Sequence, residues 1–311
     1  MPEVSVVIPT YNSAHFLGEA LQSVFDQTFK DYELIVVDDG STDETKQIVA
    51  EYGDKIKYIF QENSGPASAK NNGIRNSVGK YIAFLDADDL WLPTKLEKQV
   101  KTFQQSPELA MIFTEHSVFN DRGIYLALIG KRKRLIKGDI ARNIFLHNGV
   151  ATPTVIVRKE IFNKIGLFEE DLCMAEDDNM WVRIAVNFKV ELIDEPLVKI
   201  RFHPERTTAA KKKLFGYVQS NIRLLTSRYV GVKERIEDVI PRKLSQVQFD
   251  LGYVYFEDNE LKEARKAFAR GIISYKWNWK NYPYFLSCFL PKKMVQTVRW
   301  LKRRVLSSAA Y

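Results

Sequence analysis

Over the first ~90 residues, short β-branched runs alternate with amphipathic stretches, the pattern of βαβ units closed into a parallel sheet. Residues 4–8 are continuously apolar apart from Ser5, as a strand buried on both faces requires. Ser13 predicts the cap of a helix that buries Leu17, Ala20, Leu21, Val24 and Phe25 at three-to-four spacing. Residues 34–37 predict a second strand running into Asp38-Asp39-Gly40. Ser41, with Glu44 three residues on, predicts a capping box at the next helix. A third strand is expected at 57–60, a helix over 66–76 stopping near Gly79, and a fourth strand at 81–85 ending in Asp86-Ala87-Asp88-Asp89. Polar residues thus collect at the carboxyl ends of strands, where open α/β sheets place their ligands.

From about residue 109 to 204 the pattern is mixed. Strands are expected at 109–113, 150–157, 190–193 and 198–202, and a helix at 176–187 carrying Met180, Ile184 and Val186. After His203-Pro204 the pattern is helical throughout. Residues 246–274 have the rhythm of a single tetratricopeptide-like unit, which cannot form a solenoid alone and so predicts a docked helical hairpin. Further on, Met294, Val298, Leu301 and Val305 share one helical face, ringed by Lys292, Lys293, Arg299, Lys302, Arg303 and Arg304. Upstream of them lie Tyr282-Pro283-Tyr284-Phe285-Leu286 and Phe289-Leu290. Two readings of this basic C-terminal helix stay open: docking on an anionic membrane surface, or packing of its apolar stripe on the preceding domain. The run Lys131-Arg132-Lys133-Arg134 reads as a solvated loop or as a second contact with that surface.

The length of 311 residues allows one large domain and an appendage. Charge is segregated along it: residues 1–130 hold 11 basic and 19 acidic side chains, residues 201–311 hold 23 and 9. An acidic front half suits a carboxylate-lined metal site, and a basic tail suits an anionic surface. No helix-turn-helix, zinc-finger or stacking-aromatic signature accompanies the tail, so no nucleic-acid partner is expected. No apolar run reaches the ~18 residues of a membrane span, and the start lacks the marks of a signal peptide. Cys173 and Cys288 show no metal spacing and read as free thiols of a reducing compartment. The expected place is the cytoplasm, or its membrane face where the tail docks.

Asp86, Asp88 and Asp89 put three carboxylates within four residues, a repulsion that a hard cation such as Mg²⁺ or Mn²⁺ relieves. An isolated motif of this kind is more often a solvated turn, with Asp89 capping the next helix. Its neighbours shift the balance. Pro9-Thr10-Tyr11-Asn12 ends the first strand and Asp38-Asp39 the second; there an Asp can accept from a base N–H and a Tyr can stack on a base. Gly65-Pro66-Ala67-Ser68-Ala69-Lys70-Asn71 places a cation near a helix start, a ready anion site. Glu176-Asp177-Asp178 either caps its helix or supplies a general base. In Arg201-Phe202-His203 an imidazole stands where it can complete a metal shell.

In this order and spacing, these pieces resemble family 2 of the glycosyltransferases. The matching stretches are residues 4–12, 36–43, 69–73, 86–89, 166–168, 176–177 and 201–204, together spanning residues 1 to about 205. The resemblance implies an α/β fold of the GT-A type, a Rossmann-like nucleotide-diphospho-sugar transferase domain over 1–205, with a helical C-terminal extension over 206–311. It implies a nucleotide-sugar site of Pro9, Thr10, Tyr11, Asp39, Lys70, Asp86 and Glu176. Thr10, Tyr11 and Asp39 would surround the base, usually uracil in this family, and Asp86 would touch the donor's ribose or sugar. Asp88 and His203 would hold Mg²⁺ or Mn²⁺, and Asp177 would be the catalytic base. Lys70 stands where relatives often have Arg, and it gives up the bidentate phosphate geometry. Asp178-Asn179 replaces a more usual aromatic-acid pair.

The activity so implied is inverting, metal-dependent and non-processive transfer of a sugar, from a UDP-sugar or similar donor to the hydroxyl of a glycan or lipid-linked glycan. Such a reaction belongs to cell-surface polysaccharide, lipopolysaccharide or glycolipid synthesis. Two other readings are weighed. A nucleotidyltransferase should carry a Gly-rich loop after the first strand, where this chain has Pro9-Thr10-Tyr11-Asn12. A non-catalytic binding module with a degenerate transferase domain should have lost some of Asp39, Asp86, Asp88 and Asp177. Gln296-Thr297-Val298-Arg299-Trp300 spells a signature of processive synthases, but it trails Asp177 by 119 residues with no spanning helix between. It reads as coincidence.

Overall fold

The β-branched run at the start forms strand β1 (Val4–Thr10). It lies between two parallel neighbours, β2 (Tyr32–Asp38) and β4 (Tyr81–Phe84), and β2 in turn pairs in parallel with β3 (Lys57–Phe60). The computed structural model describes residues 1–120, 125–126, 139–147, 149–172, 174–203, 211–291 and 294. Side chains alternate across the sheet as the pleat demands. Val4, Val6 and Ile8 join Leu17, Ala20, Leu21 and Val24 of helix α1 (Ala14–Phe25) in one core. Ile35 and Val37 face the other way, toward Ala69 of helix α3 (Pro66–Asn76). Each such valine, leucine or isoleucine, fully buried, contributes about 1.5–3 kcal/mol.

Helix α3 approaches the sheet closely because residue 73 is glycine: a Cβ there would lie 2.3 Å from Val7 Cγ1. Valine has little rotamer freedom with which to yield, so Gly73→Ala is expected to cost about 1–3 kcal/mol by overpacking. Chemical denaturation reads this directly, and an unchanged midpoint would show that α3 can slide.

Ser13 precedes α1 but makes no side-chain cap bond; its hydroxyl donates to the Tyr11 carbonyl, and the Asp43 carboxylate accepts from the Ala14 N–H instead. The expected capping box at Ser41 does not form. Helix α2 starts later (Thr45–Ala50), because Ser41 is drawn away: its hydroxyl accepts from the Asn12 N–H and its own N–H donates to Asp38.

Beyond β4 come β5 (Leu90–Trp91), helix α4 (Lys95–Gln105), β6 (Leu109–Phe119) and β7 (Tyr125–Leu126). Then follow α5 (Ile140–His147), β8 (Ile156–Arg158), α6 (Lys159–Ile165), α7 (Glu176–Asn187) and β9 (Lys189–Arg201). The nine strands form one mixed sheet in the order β3-β2-β1-β4-β8-β6-β9-β5, with β7 on β6.

Two sequence expectations change here. Of residues 150–157, only the end is strand, because Thr152–Thr154 tightens into a 3₁₀ turn around Pro153. The two strands expected at 190–193 and 198–202 are one, β9. Ile193 pairs with Thr114 and Pro196 with Glu115, so Asp194 and Glu195 bulge out, which accommodates a proline that cannot donate to a ladder.

The chain divides into two compact units, Met1–Arg206 with Arg223–Arg235, and Thr207–Ile222 with Ile236–Tyr311. Past β9 the described residues are helical: α8 (Lys211–Arg228), α9 (Val230–Ile236), α10 (Ile240–Glu257), α11 (Leu261–Ser274) and α12 (Asn281–Ser287). The expected hairpin is α10 and α11, which with α12 enclose a core of Phe256, Ala264, Phe268 and Cys288. Cys288 is a buried free thiol. No helix among the described residues is long and apolar enough to cross a membrane. The basic stripe around Val298, the Gln296–Trp300 signature, Cys173 and the 131–134 run lie outside the described residues.

Candidate active site

The register pairs Thr10 with Asp38 and Val7 with Phe84, so the carboxyl ends of β1, β2 and β4 lie on one rim. Strand order reverses there between β1 and β4, the crevice that open α/β sheets use for ligands. Gly40 turns the chain off β2 at φ 82°, and a Cβ would meet the Asn63 backbone nitrogen at 2.9 Å. That close approach brings the 61–65 loop onto Asp39. Its carboxylate accepts from Gln61 Nε2 at 2.7 Å, the Ser64 N–H at 2.9 Å and the Gly65 N–H at 2.8 Å. A carboxylate has about four acceptor positions, and these three bonds take up most of them. Pro9 is half-buried and Thr10 buried at the end of β1, while the Tyr11 side chain is 50% exposed on the rim. Neighbouring Asp38 holds the local fold, accepting from the Ser41 N–H at 2.8 Å and from Tyr58 at 2.6 Å. Burial and that bond push the Tyr58 hydroxyl well up.

Asp89 is buried and does not cap α4. It accepts the Arg201 N–H at 2.8 Å, while the Arg201 Nε donates to the Asp88 carbonyl at 3.1 Å and its Nη2 pairs with Glu19 at 2.8 Å. The Arg201 guanidinium also lies over the Phe16 and Phe119 rings, at 5.0 and 4.5 Å. The end of β9 is thereby tied to the acidic turn, and His203 follows two residues later. Its ring packs on Phe16 at 4.7 Å, and its Nε2 lies 2.9 Å from Asp88 Oδ2. His203 Nδ1 is buried with no partner among the described residues. A carboxylate oxygen and a ring nitrogen held together this way suit a divalent cation. Among the described residues no three such ligands cluster.

Lys70 lies in the second turn of α3, 4% exposed. It meets Glu176, at the start of α7, in a 2.8 Å ion pair. The Phe168 ring lies 5.4 Å from its ammonium. Burial alone would push the ammonium down; Glu176, Asp86 and Asp177 outweigh it and hold Lys70 above its ordinary range. One buried cation thus feels carboxylates from both the turn after β4 and the start of α7.

Burial and the charge of Glu176 push the Asp177 carboxyl up, against the opposing pull of Lys70, the Asp178 N–H and Thr152. The Thr152 hydroxyl donates to Asp177 Oδ2 at 3.2 Å and the Asp178 N–H to Oδ1 at 2.7 Å. A half-buried carboxylate with a raised proton affinity and few donors is what a general base needs.

Three supports went unseen in the sequence. Thr152 carries no local mark of its role. Asn71 clamps the Phe168 backbone at both ends, donating to its carbonyl and accepting from its N–H, each at 2.9 Å. Arg183 is buried on α7 and donates to the carbonyls of Leu167, at 2.9 Å, and of Ile165. An arginine among Met180, Trp181 and Ile184 was the available signal. Beside it Glu169 takes hydrogen bonds from Arg228 and Tyr229, and burial with that bond pushes the Tyr229 hydroxyl up to about 12.

Comparison with known proteins settles the lineage. The family model described as glycosyl transferase family 2 matches residues 5–166, more than half of the chain. The chain belongs to glycosyl transferase family 2. This family-2 chain is 35% identical over 210 residues to an uncharacterized glycosyltransferase of Rickettsia prowazekii, covering 67% of this chain and 66% of that one. Against other Rickettsia relatives it spans about a third of their length. It is 28% identical over 213 residues to UDP-Glc:alpha-D-GlcNAc-diphosphoundecaprenol beta-1,3-glucosyltransferase WfgD of Escherichia coli, covering 68% and 80% of the two chains. Its fold is similar to that of S. aureus TarS 1-349, solved in complex with UDP-GlcNAc, at a TM-score of 0.59 and 20% identity over 93% and 90% of the two chains. It is also similar to that of the mannosyltransferase PcManGT from Pyrobaculum calidifontis, solved with GDP-Man and Mn2+, at 0.53 and 19% over 92% and 86%. The family-2 fold is therefore the α/β GT-A architecture expected from the sequence, followed by helices. Glu176, Asp177 and His203 lie beyond the stretch that the family model matches.

Proposed function

We propose that this chain is an inverting, metal-dependent, non-processive glycosyltransferase that moves a sugar from a UDP-sugar to a hydroxyl of a lipid-linked glycan. The observation that carries this reading is the buried Lys70, whose charge is shared by Glu176, Asp177 and Asp86. It joins a donor-side acidic turn to a base whose proton affinity is already raised. The donors bound by TarS and PcManGT and the diphosphoundecaprenol-linked acceptor in the name of WfgD support the substrate classes.

In this reading Tyr11 stacks on the base, Thr10 and Pro9 line the wall beneath it, and Asp39 accepts from its N–H. Asp86 orients the ribose or sugar. Asp88 and His203 would hold Mn²⁺ or Mg²⁺, which when bound supplies positive charge to the diphosphate. Asp177 takes the proton of the acceptor hydroxyl as that oxygen attacks the anomeric carbon. The new C–O bond forms on the face opposite the departing diphosphate, so a single displacement inverts the centre. Glu176 and Lys70 fix the position and charge of Asp177. In this reading residues 1–205 are the catalytic domain and 206–311 a helical extension, of which Arg223–Arg235 belongs to the same compact unit as the catalytic domain. The basic end of the extension would bring the enzyme to the cytoplasmic membrane face where a lipid-linked acceptor resides.

Purified protein incubated with a panel of UDP- and dTDP-sugars and Mn²⁺ or Mg²⁺, followed by NMR, is expected to hydrolyse one donor slowly. Asp88→Ala should lose that turnover while staying folded. Absence of donor binding by folded protein with metal present would overturn the reading.

A further inference from the structure

Helix α12 is apolar on two faces. Tyr284 and Cys288 turn inward, where Tyr284 packs edge-on against Phe249, Tyr253 and Phe256. Tyr282, Leu286 and, one turn on, Phe289 recur at helical spacing on the other side and are 40, 65 and 58% exposed. In the turn between α11 and α12, Trp277 and Trp279 are each 71% exposed. This turn is built to present them. Asn278, between the two, is held inward by a 3.1 Å bond from its Nδ2 to Ser245 Oγ. The Tyr282 hydroxyl donates to the Lys276 carbonyl at 3.0 Å, and Asn281 is buried against Gly271.

The rim is basic. Residues 261–291 contain six Lys or Arg and one acid, Glu263, which Lys266 already pairs at 2.8 Å; Glu257, Asp258 and Glu260 precede this stretch, and Asp250 of α10 feels the charge of Lys280. The Arg265 guanidinium lies over the Phe289 ring at 4.8 Å and the Lys276 ammonium over Trp277 at 5.4 Å.

The geometry points to this face of the second unit as a docking surface for an anionic lipid bilayer. Tryptophan and tyrosine favour the headgroup boundary, where an apolar ring and a polar edge are both satisfied, and lysine and arginine around them meet anionic headgroups. A second copy of the chain would set two like-charged rims against each other. A nucleic acid would answer the charge but leave Leu286 without an apolar partner. The surface comes from described residues 273–289, separate from the basic stripe further along the chain, and it does not depend on the transfer reaction.

The test uses the full chain carrying Trp300→Phe, so that quenching reports on the remaining tryptophans, of which Trp91 and Trp181 are buried. Phosphatidylcholine vesicles with brominated acyl chains, with and without phosphatidylglycerol, are titrated against it. Expected are a blue shift and quenching with the phosphatidylglycerol vesicles, weakened by salt, and, read by vesicle co-sedimentation because the double variant lacks the exposed reporter rings, at least about a tenfold loss of binding in Trp277→Ser/Trp279→Ser, since each exposed ring lost removes apolar contact with the boundary. Circular dichroism confirms that the double variant stays folded. Absence of quenching, or equal vesicle binding by the double variant, would overturn the proposal. So would a concentration-dependent dimer that the double variant abolishes, because it would assign the face to a second copy.

Discussion

Asp177→Asn is expected to slow transfer by about 10²–10⁴-fold, the usual worth of a positioned base, and to make the protein more stable. The two effects share a cause. Burial and Glu176 raise the folded pKa of Asp177 above its unfolded value. The stability associated with this group is therefore full below the unfolded pKa and is lost as pH rises through the folded one. An amide keeps the shape and removes the charge. The gain in thermal midpoint should be larger at pH ~8 than at pH ~5, while wild-type turnover should fall as pH drops through a value above the ordinary carboxylate range of about 4. Thermal unfolding at the two pH values, with transfer followed by NMR, reads both effects. Wild-type rates in the variant would remove Asp177 from the mechanism.

Lys70→Met is expected to cost about 3–5 kcal/mol, because breaking a buried pair strands its partner, and here the stranded charges include Glu176, Asp177 and Asp86. Lys70 is held above its ordinary range, so its contribution is full below the unfolded value near ~10.4 and disappears only as pH climbs through the folded one. Acidification should restore part of the stability of the variant, since protonated carboxyls no longer repel. Urea unfolding across pH tests this. A loss below ~1 kcal/mol would place the pair in the class of weak surface bridges.

The parts of the fold that were legible in the sequence are those governed by local periodicity. The strands β1 to β4 follow from short apolar or β-branched runs, helix α1 from three-to-four spacing, and α3 and α7 from helical stretches between strands. The capping box at Ser41 failed because Asn12, 29 residues away, competes for the hydroxyl. The continuity of β9 was hidden because Pro196 interrupts the pattern, and only its partner β6 shows that a bulge absorbs it. The site divides along the same line. Motif residues announced themselves by type and by position after strands. The pairing of Lys70 with Glu176, 106 residues apart, did not, and neither did the enclosure of Asp39 by the 61–65 loop, because both are products of tertiary contact.

The sharing of one buried lysine among acids of two separate motifs also limits how this family-2 site can change. Exchange of residue 70 alone passes through a folded state carrying an uncompensated negative cluster, and so does gain of a further acid beside it. Substitutions at 70, 86, 176 and 177 are therefore expected to be inherited together, and a designer grafting the Glu176-Asp177 pair onto another scaffold has to carry the lysine with it.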